Sequence, residues 1–265
     1  MNESNTKISI IDQFLYAVSK PKQYQALIKQ STGRVIGFVL VMAMLITTMN
    51  FIIPLVGYQW SLGGLEQFFR NKIPKFTIEH GVLEMEEPLN MNVFGVSIVV
   101  DPEKESYTPQ DFDDDVLLQV MISKHNMLIK NMIQVVELPF EYLSNLTINN
   151  ESLVKSIPYL YMIQLVAIGV TLTIQFFYYL LGAVGYAFIG LALIGMRPSI
   201  SLTWKELIKI GIYAKALTAF LGALNEGMGY PVGIGYWHMI GMFVSLVYMT
   251  KAIATYDTKN GESLL

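Results

Sequence analysis

The sequence predicts an α-helical polytopic membrane protein with four transmembrane helices, the second one long, and an inserted α+β extracytoplasmic domain. Three observations carry this reading. First, 53% of the 265 residues are hydrophobic and only 15% are charged, against about 25% charged in a soluble domain, and the mean hydropathy is +0.44. Second, the windows 35–57, 156–196 and 227–250 contain no Asp, Glu, Lys or Arg, and 207–225 is apolar apart from Lys209 and Lys215. A helix needs about 20 apolar residues to cross the hydrocarbon core. Third, residues 58–155 carry seven Lys/Arg against fifteen Asp/Glu, with short alternating apolar runs between them.

The chain reads in order as follows. Residues 1–34 form a cytoplasmic amphipathic segment: Ile8, Ile11, Leu15 and Val18 recur at helical spacing, Pro21 interrupts, and Tyr24, Leu27 and Ile28 resume. Short helices lying on the inner leaflet, or packed on the span ends, both fit this pattern. Residues 35–57 are the first transmembrane helix. With 34 residues ahead of them and no A-x-A site behind, they read as a signal anchor.

Residues 58–155 read as the extracytoplasmic domain. Leu62, Leu65, Phe68 and Phe69 share a helical face. Strand signals follow at Phe76-Thr-Ile78, Val82-Leu-Glu-Met85, Val96-Ser-Ile-Val-Val100, residues 117–122, 127–129 and 133–138. Glu79-His80-Gly81 and Ser123-Lys-His-Asn126 read as hairpin turns.

Residues 156–196 are the long second helix, 197–206 a cytoplasmic loop, 207–225 the third helix, 227–250 the fourth and 251–265 a cytoplasmic tail. As one straight helix the second would measure about 60 Å, twice the core thickness. The alternative is a hairpin turning near Gly182 and Gly185. Charge favours a single crossing. Lys7, Lys20, Lys22, Lys29 and Arg34, then Arg197, Lys205 and Lys209, then Lys251 and Lys259, all fall on the cytoplasmic side in the four-span arrangement, as the positive-inside rule requires.

Composition excludes several kinds of chemistry. A net charge of −3 provides no basic surface for nucleic acid. Without cysteine there is no disulfide, cysteine-ligated metal or thiol nucleophile. The run Asp111-Phe-Asp-Asp-Asp115 has Val116 and Ile122 where a calcium-binding EF-hand loop needs Gly and Glu. It therefore reads as a solvated acidic loop. His80, His125 and His238 have no metal-ligand spacing, and neither a G-x-S-x-G elbow nor a phosphate-binding G-x-x-x-x-G-K loop occurs. The expectation is no enzyme, no cofactor and no metal.

Three intramembrane polar residues stand out as candidates. Lys215 sits about 13 Å beyond Glu206 along a helix. An ionisable group at that depth is either functional or snorkels to the interface. Glu226 closes the third span. His238 lies mid-span at a depth matching Lys215, so the two form a candidate pair. Ala214, Thr218 and Gly222 share a face that lets helices approach closely, within the chain or between copies. Asn145-Leu-Thr147 and Asn150-Glu-Ser152 match the glycosylation acceptor pattern, which has meaning only in a eukaryotic secretory host.

Several segments carry a family resemblance. They are Phe14-Leu-Tyr-Ala-Val-Ser-Lys-Pro-Lys-Gln-Tyr24, Ile73-Pro-Lys-Phe-Thr-Ile-Glu-His-Gly-Val-Leu83, Ile98-Val-Val-Asp101, Val120-Met-Ile-Ser-Lys-His-Asn126, and Leu202-Thr-Trp-Lys-Glu-Leu207 with Tyr213-Ala214. The chain resembles the bacterial membrane family of unknown function that includes maltodextrin utilisation protein MalA. The resemblance implies a bacterial plasma membrane, an extracytoplasmic domain between membrane and wall, and neighbourhood with sugar uptake. It supplies no catalytic residues.

The functional expectation is a non-enzymatic accessory, scaffold or sensor subunit. Its extracytoplasmic domain would bind a partner protein or envelope ligand, and its spans would meet the lipid bilayer and a membrane-protein partner or a second copy. The alternatives are an accessory component of a carbohydrate (maltodextrin-type) transport system, or a membrane enzyme acting on lipid or glycan.

Overall fold

A computed structural model describes residues 7–256 apart from 94, 132, 133 and 198. Lys259, and the start of the expected strand at Ile133, lie outside the described residues. The chain divides into two compact units, Val56–Gln164 and the residues on either side of it.

The flanking unit is a helix bundle. Helix α1 (Ile10–Ser19) starts where the Ser9 hydroxyl accepts the Asp12 amide, and α2 (Tyr24–Ile28) follows. The first long helix runs as α3 (Thr32–Thr47), a π-helical turn (Thr48–Ile52) and α4 (Ile53–Ser61). Helix α6 (Asn150–Gly195) is a single 46-residue helix, so the hairpin alternative for 156–196 is not adopted. The third long helix is broken into α7 (Trp204–Ala214) and α8 (Ala216–Gly227), and the fourth is α9 (Ile234–Ala254). Four helical stretches, Thr32–Ser61, Asn150–Gly195, Trp204–Gly227 and Ile234–Ala254, are long and apolar enough to cross a membrane. At about 69 Å, α6 exceeds the hydrocarbon thickness more than twofold.

Aromatic and small residues pack this bundle. Phe38, Met42, Tyr179, Leu207, Ile210, Tyr213, Met249 and Ile253 form its core. The buried residues of α6 are Tyr179, Ala183, Ala187 and Gly190, one stripe at helical spacing. The small face of α8 serves packing within the chain. Thr218 and Ser245 hydroxyls share a 2.9 Å hydrogen bond, and Gly222 faces the Trp237 indole.

The N-terminal helices pack on this bundle as well as exposing apolar residues. The Tyr213 hydroxyl donates to buried Gln13 (2.8 Å), the Tyr248 hydroxyl to the Val18 carbonyl (2.6 Å), and Phe14 meets Phe220 edge-on. Lys209 Nζ donates to the carbonyls of Ile28 (2.7 Å) and Gln30 (2.6 Å) at the end of α2. Ile11 and Leu15 face outward, 74% and 50% exposed.

The inserted unit is α+β. The expected helix from Leu62 is corrected to α5 (Leu65–Asn71), because Gly63 and Gly64 take φ values of 78° and 92° and end the preceding helix. One sheet has the order β2-β1-β8, from β1 (Phe76–Glu79), β2 (Val82–Met85) and β8 (Ile148–Asn149). The β1–β2 turn uses positive φ at both His80 (50°) and Gly81 (80°), the combination a type I′ hairpin requires. The second sheet has the order β3-β4-β5-β6-β7. Its strands are β3 (Leu89–Val93), β4 (Val96–Val100), β5 (Gln119–Ile122), β6 (Asn126–Lys130) and β7 (Val135–Pro139). All its pairs are antiparallel except β4–β5, which is parallel.

Register sorts this sheet into two faces. One bears Asn90, Asn92, Ser97, Gln119, Lys130 and Glu137 beside Val99, Met121 and Leu128, and the last three pack with Tyr107 and Phe112. The other face is apolar on every strand. Leu89, Val100, Ile122, Met127 and Leu138 form one row across it, and Met91, Ile98, Val120, Ile129 and Val136 form the next. Ile78, Leu83 and Phe140 cover the first row.

Helix α7 approaches α6 closely at Gly211, where an added Cβ would lie 2.5 Å from the Ala183 carbonyl oxygen. That neighbour is backbone and cannot swing away. Gly211→Ala is therefore expected to cost about 1–3 kcal/mol through overpacking. Gly37→Ala, with nothing within 4 Å, is expected to be neutral or stabilising. Melting of the full-length protein in detergent checks both.

Candidate functional site

Lys215 occupies the break between α7 and α8. Its ammonium donates to the main-chain carbonyls of Tyr178 (3.3 Å) and Tyr179 (3.5 Å). It also lies 5.0 and 4.9 Å from the centroids of the same two tyrosine rings. The approach depends on Gly182, since a Cβ there would collide with Lys215 Nζ. The cation is thus held by carbonyl dipoles and ring faces on α6.

The pairing of Lys215 with His238 is not formed. Trp237 points into the bundle against Gly222, so His238, one residue on and about 100° around the helix, falls on the exposed side. Matching depth brought the two to one level but not to one face.

Glu226 accepts a hydrogen bond from the Asn50 side-chain amide, which projects from the π-helical turn of the first span. Asn225 closes the α8–α9 connection by bonding the Val232 amide and carbonyl, both at 2.9 Å. In that connection burial, and then the Glu226 charge, push the Tyr230 phenol up. The Thr47 hydroxyl and Asn50 Oδ1 are buried without a partner among the described residues. Sequence reasoning counted only charged residues inside the spans and so passed over Asn50. An amide within the uncharged window 35–57 was the available signal.

The inserted unit contains an open cleft of about 540 Å³ between β2 and the chain leaving β4. Glu84, Glu86, Asp101 and Glu103 line it, with Lys124 as the one basic lining residue. The acidic run nearby is engaged in the fold. Asp111 accepts from Lys104 Nζ (2.5 Å), the Thr108 amide (2.7 Å) and the Thr108 hydroxyl (2.9 Å). The Lys104 bond foremost, then Thr108, hold its carboxyl down to about 2. Asp113 accepts the Asp115 amide. Among the described residues no three His, Asp or Glu side chains converge to hold a metal ion. His125 bonds Glu105 at 3.1 Å, and the Lys124 bond, then His125, lowers the Glu105 pKa.

These features define a class: a chain of four helices with the length and composition of membrane spans, carrying a mixed α+β unit between the first and the second. The chain belongs to the DUF1189 family, described as a protein family of unknown function, whose model matches residues 11–253. No curated protein and no solved structure matches it.

The Lys215 geometry predicts coupling to Gly182. Gly182→Ala should destabilise the protein when Lys215 is present and be nearly neutral beside Lys215→Ala. A non-additivity of about 0.5–3 kcal/mol is expected in a double-mutant cycle read by detergent melting. Lys215→Leu and His238→Leu should be additive.

Asp111 predicts an acid limb. Its folded pKa lies below the ordinary 3.8, so its contribution is complete above that value and is lost as pH falls toward about 2. Melting temperature should drop more steeply across that window in the native protein than in Asp111→Asn.

Proposed function

We propose that this is a non-enzymatic membrane protein with both termini in the cytoplasm. In this reading residues 58–155 lie outside, and the exported unit acts as the binding part of an accessory, scaffold or sensor subunit. The uninterrupted course of α6 carries the reading. One continuous helix crosses once, so four crossings return the chain to the side on which it began.

Charge placement agrees with that count. Lys20, Lys22, Lys29 and Arg34 precede α3, Arg197 and Lys205 lie between α6 and the body of α7, and Lys251 ends α9. All belong to one end of the bundle, which the positive-inside rule assigns to the cytoplasm.

The non-catalytic part of the reading rests on how the carboxylates are used. Asp101 accepts the amides of Glu103 and Lys104, Glu105 meets Lys124 and His125, and Glu206 caps α7 through Thr203. Asp111 and Glu226 are engaged as described above. Asp101, Glu105, Asp111, Glu206 and Glu226 thus support local structure, whereas a general acid–base pair needs carboxyls free to reach a substrate; in this reading Glu84 and Glu103 of the cleft contact a ligand without catalysing its reaction. The acidic cleft beside β2 is the place in the exported unit where a ligand would seat. The maltodextrin connection implied by the sequence resemblance makes sugar uptake the first setting in which to seek a partner.

Topology is tested by single cysteines, since the chain has none of its own. In intact cells an impermeant thiol reagent is expected to label Ser106→Cys and to leave Ser201→Cys unlabelled until the membrane is opened. Labelling of Ser201→Cys in intact cells would overturn the four-crossing arrangement.

A further inference from the structure

The apolar face of the five-stranded sheet is only half covered. Burial falls along it in steps. In the first row Val100 is 6% exposed. In the second row Ile129 and Val136 reach 36% and 44%. A third row continues beyond them, from the paired Val93 and Val96 to Leu118, whose carbonyl accepts the Ser97 amide, and Leu118 is 38% exposed. The polar and charged residues of these strands lie on the opposite face. A sheet packed on one side ordinarily alternates apolar and polar. Here an uncharged apolar surface continues past the residues that cover it, and an exposed patch of that kind marks an interaction site.

One hydrogen bond indicates what lies against it. The Tyr58 hydroxyl donates to the Asn92 carbonyl at 3.0 Å. Asn92 lies between Met91 of the second row and Val93 of the third, so the bond is made at the uncovered end of the sheet. Tyr58 itself belongs to the helical stretch that ends at Ser61. Two residues further on, Trp60 is 83% exposed. Tyr and Trp at the end of a span are the residues that settle at the headgroup level. The uncovered end is therefore the end tied to the interfacial turn of the first span, and the covered row lies farther from it.

We propose that the uncovered half of this sheet lies against the surface of the lipid bilayer, its apolar residues seated at the headgroup–acyl boundary. This rests on the reading of Thr32–Ser61 as a membrane span. The bilayer supplies an apolar layer beside a polar one, as this sheet requires, with no second protein needed.

The test uses the full-length protein in phosphatidylcholine vesicles. Leu118→Cys and Val136→Cys, on different strands, each carry an environment-sensitive fluorophore, and a fraction of the lipid bears a nitroxide near the headgroup. Both side chains are partly exposed, so the substitutions should fold, which an unchanged melting temperature verifies. Ser106→Cys serves as the water-exposed control, and Leu165→Cys, on the exposed side of α6, as the span control. Strong quenching at Leu118 and Val136, approaching that at Leu165, with little at Ser106, is the expected result. Quenching at Leu165 alone would overturn the proposal. If the two sheet probes were also blue-shifted in a protein-density-dependent way, a second copy would be the occupant. Absence of quenching at Leu165 would overturn the spanning reading itself, and this inference with it.

Discussion

A donor in an apolar interior calls for an acceptor, and the bundle is assembled around that demand, with the Thr47 hydroxyl as an exception among the described residues. Leaving a buried polar group unpaired costs about 1–3 kcal/mol, so each phenol and ammonium inside dictates what must lie beside it. Tyr179 needs the Ile212 carbonyl, Tyr24 the Ala17 carbonyl and Tyr248 the Val18 carbonyl. All three of these bonds join different helices. Tyr213 reaches Gln13, two hundred positions earlier in the chain. The N-terminal helix is held by these few directional bonds as much as by apolar contact. That is why a segment with the composition of a surface helix is built into the core, with Gln13 and Ala17 fully buried.

Lysine follows the same rule in a different form. Among the described residues neither Lys209 nor Lys215 is paired with a carboxylate. Lys209 terminates α2 by capping its last carbonyls, and Lys215 rests on α6 carbonyls that already accept bonds within their own helix. Carbonyl oxygens have two lone pairs, so they can serve an ammonium without giving up the helix. The glycine opposite is as much a part of this arrangement as the lysine.

The four long apolar helices were legible because a hydrocarbon core would impose a length and forbid charge, and both are properties of a linear string. What lay beyond reach was angular. Depth along a helix follows from counting residues, whereas direction around it depends on the neighbour, and His238 shows the difference. The break at Lys215 left no proline or glycine pair to read. In the inserted unit the hairpin at His80-Gly81 was legible because two positive φ angles call for a specific pair of residues. Strand β3 is absent from the expected strands although Leu89-Asn-Met-Asn-Val93 alternates without fault; asparagine is depleted in strands, which weakens that signal. The small-residue stripe of α8 was legible as a contact surface. Its occupant, α9, was not, because small residues specify closeness and not identity.

The parallel pairing of β4 with β5 has a consequence for the order of assembly. Every other neighbouring pair in that sheet is joined by a short turn and can form locally. Parallel strands need a crossover of a dozen residues or more, and here it is the segment 101–118, which contains Tyr107, Phe112 and the acidic run. Until that crossover closes, the β3–β4 hairpin and the β5–β7 meander are separate pieces, each with one apolar face. Loop-closure entropy is spent before the central pair returns any gain. The clamp of Lys104 and Thr108 on Asp111 shortens the effective crossover to a looped-out piece held at its base. The Asp111 clamp thereby leaves less free chain between the two halves of the sheet than the length of the crossover suggests.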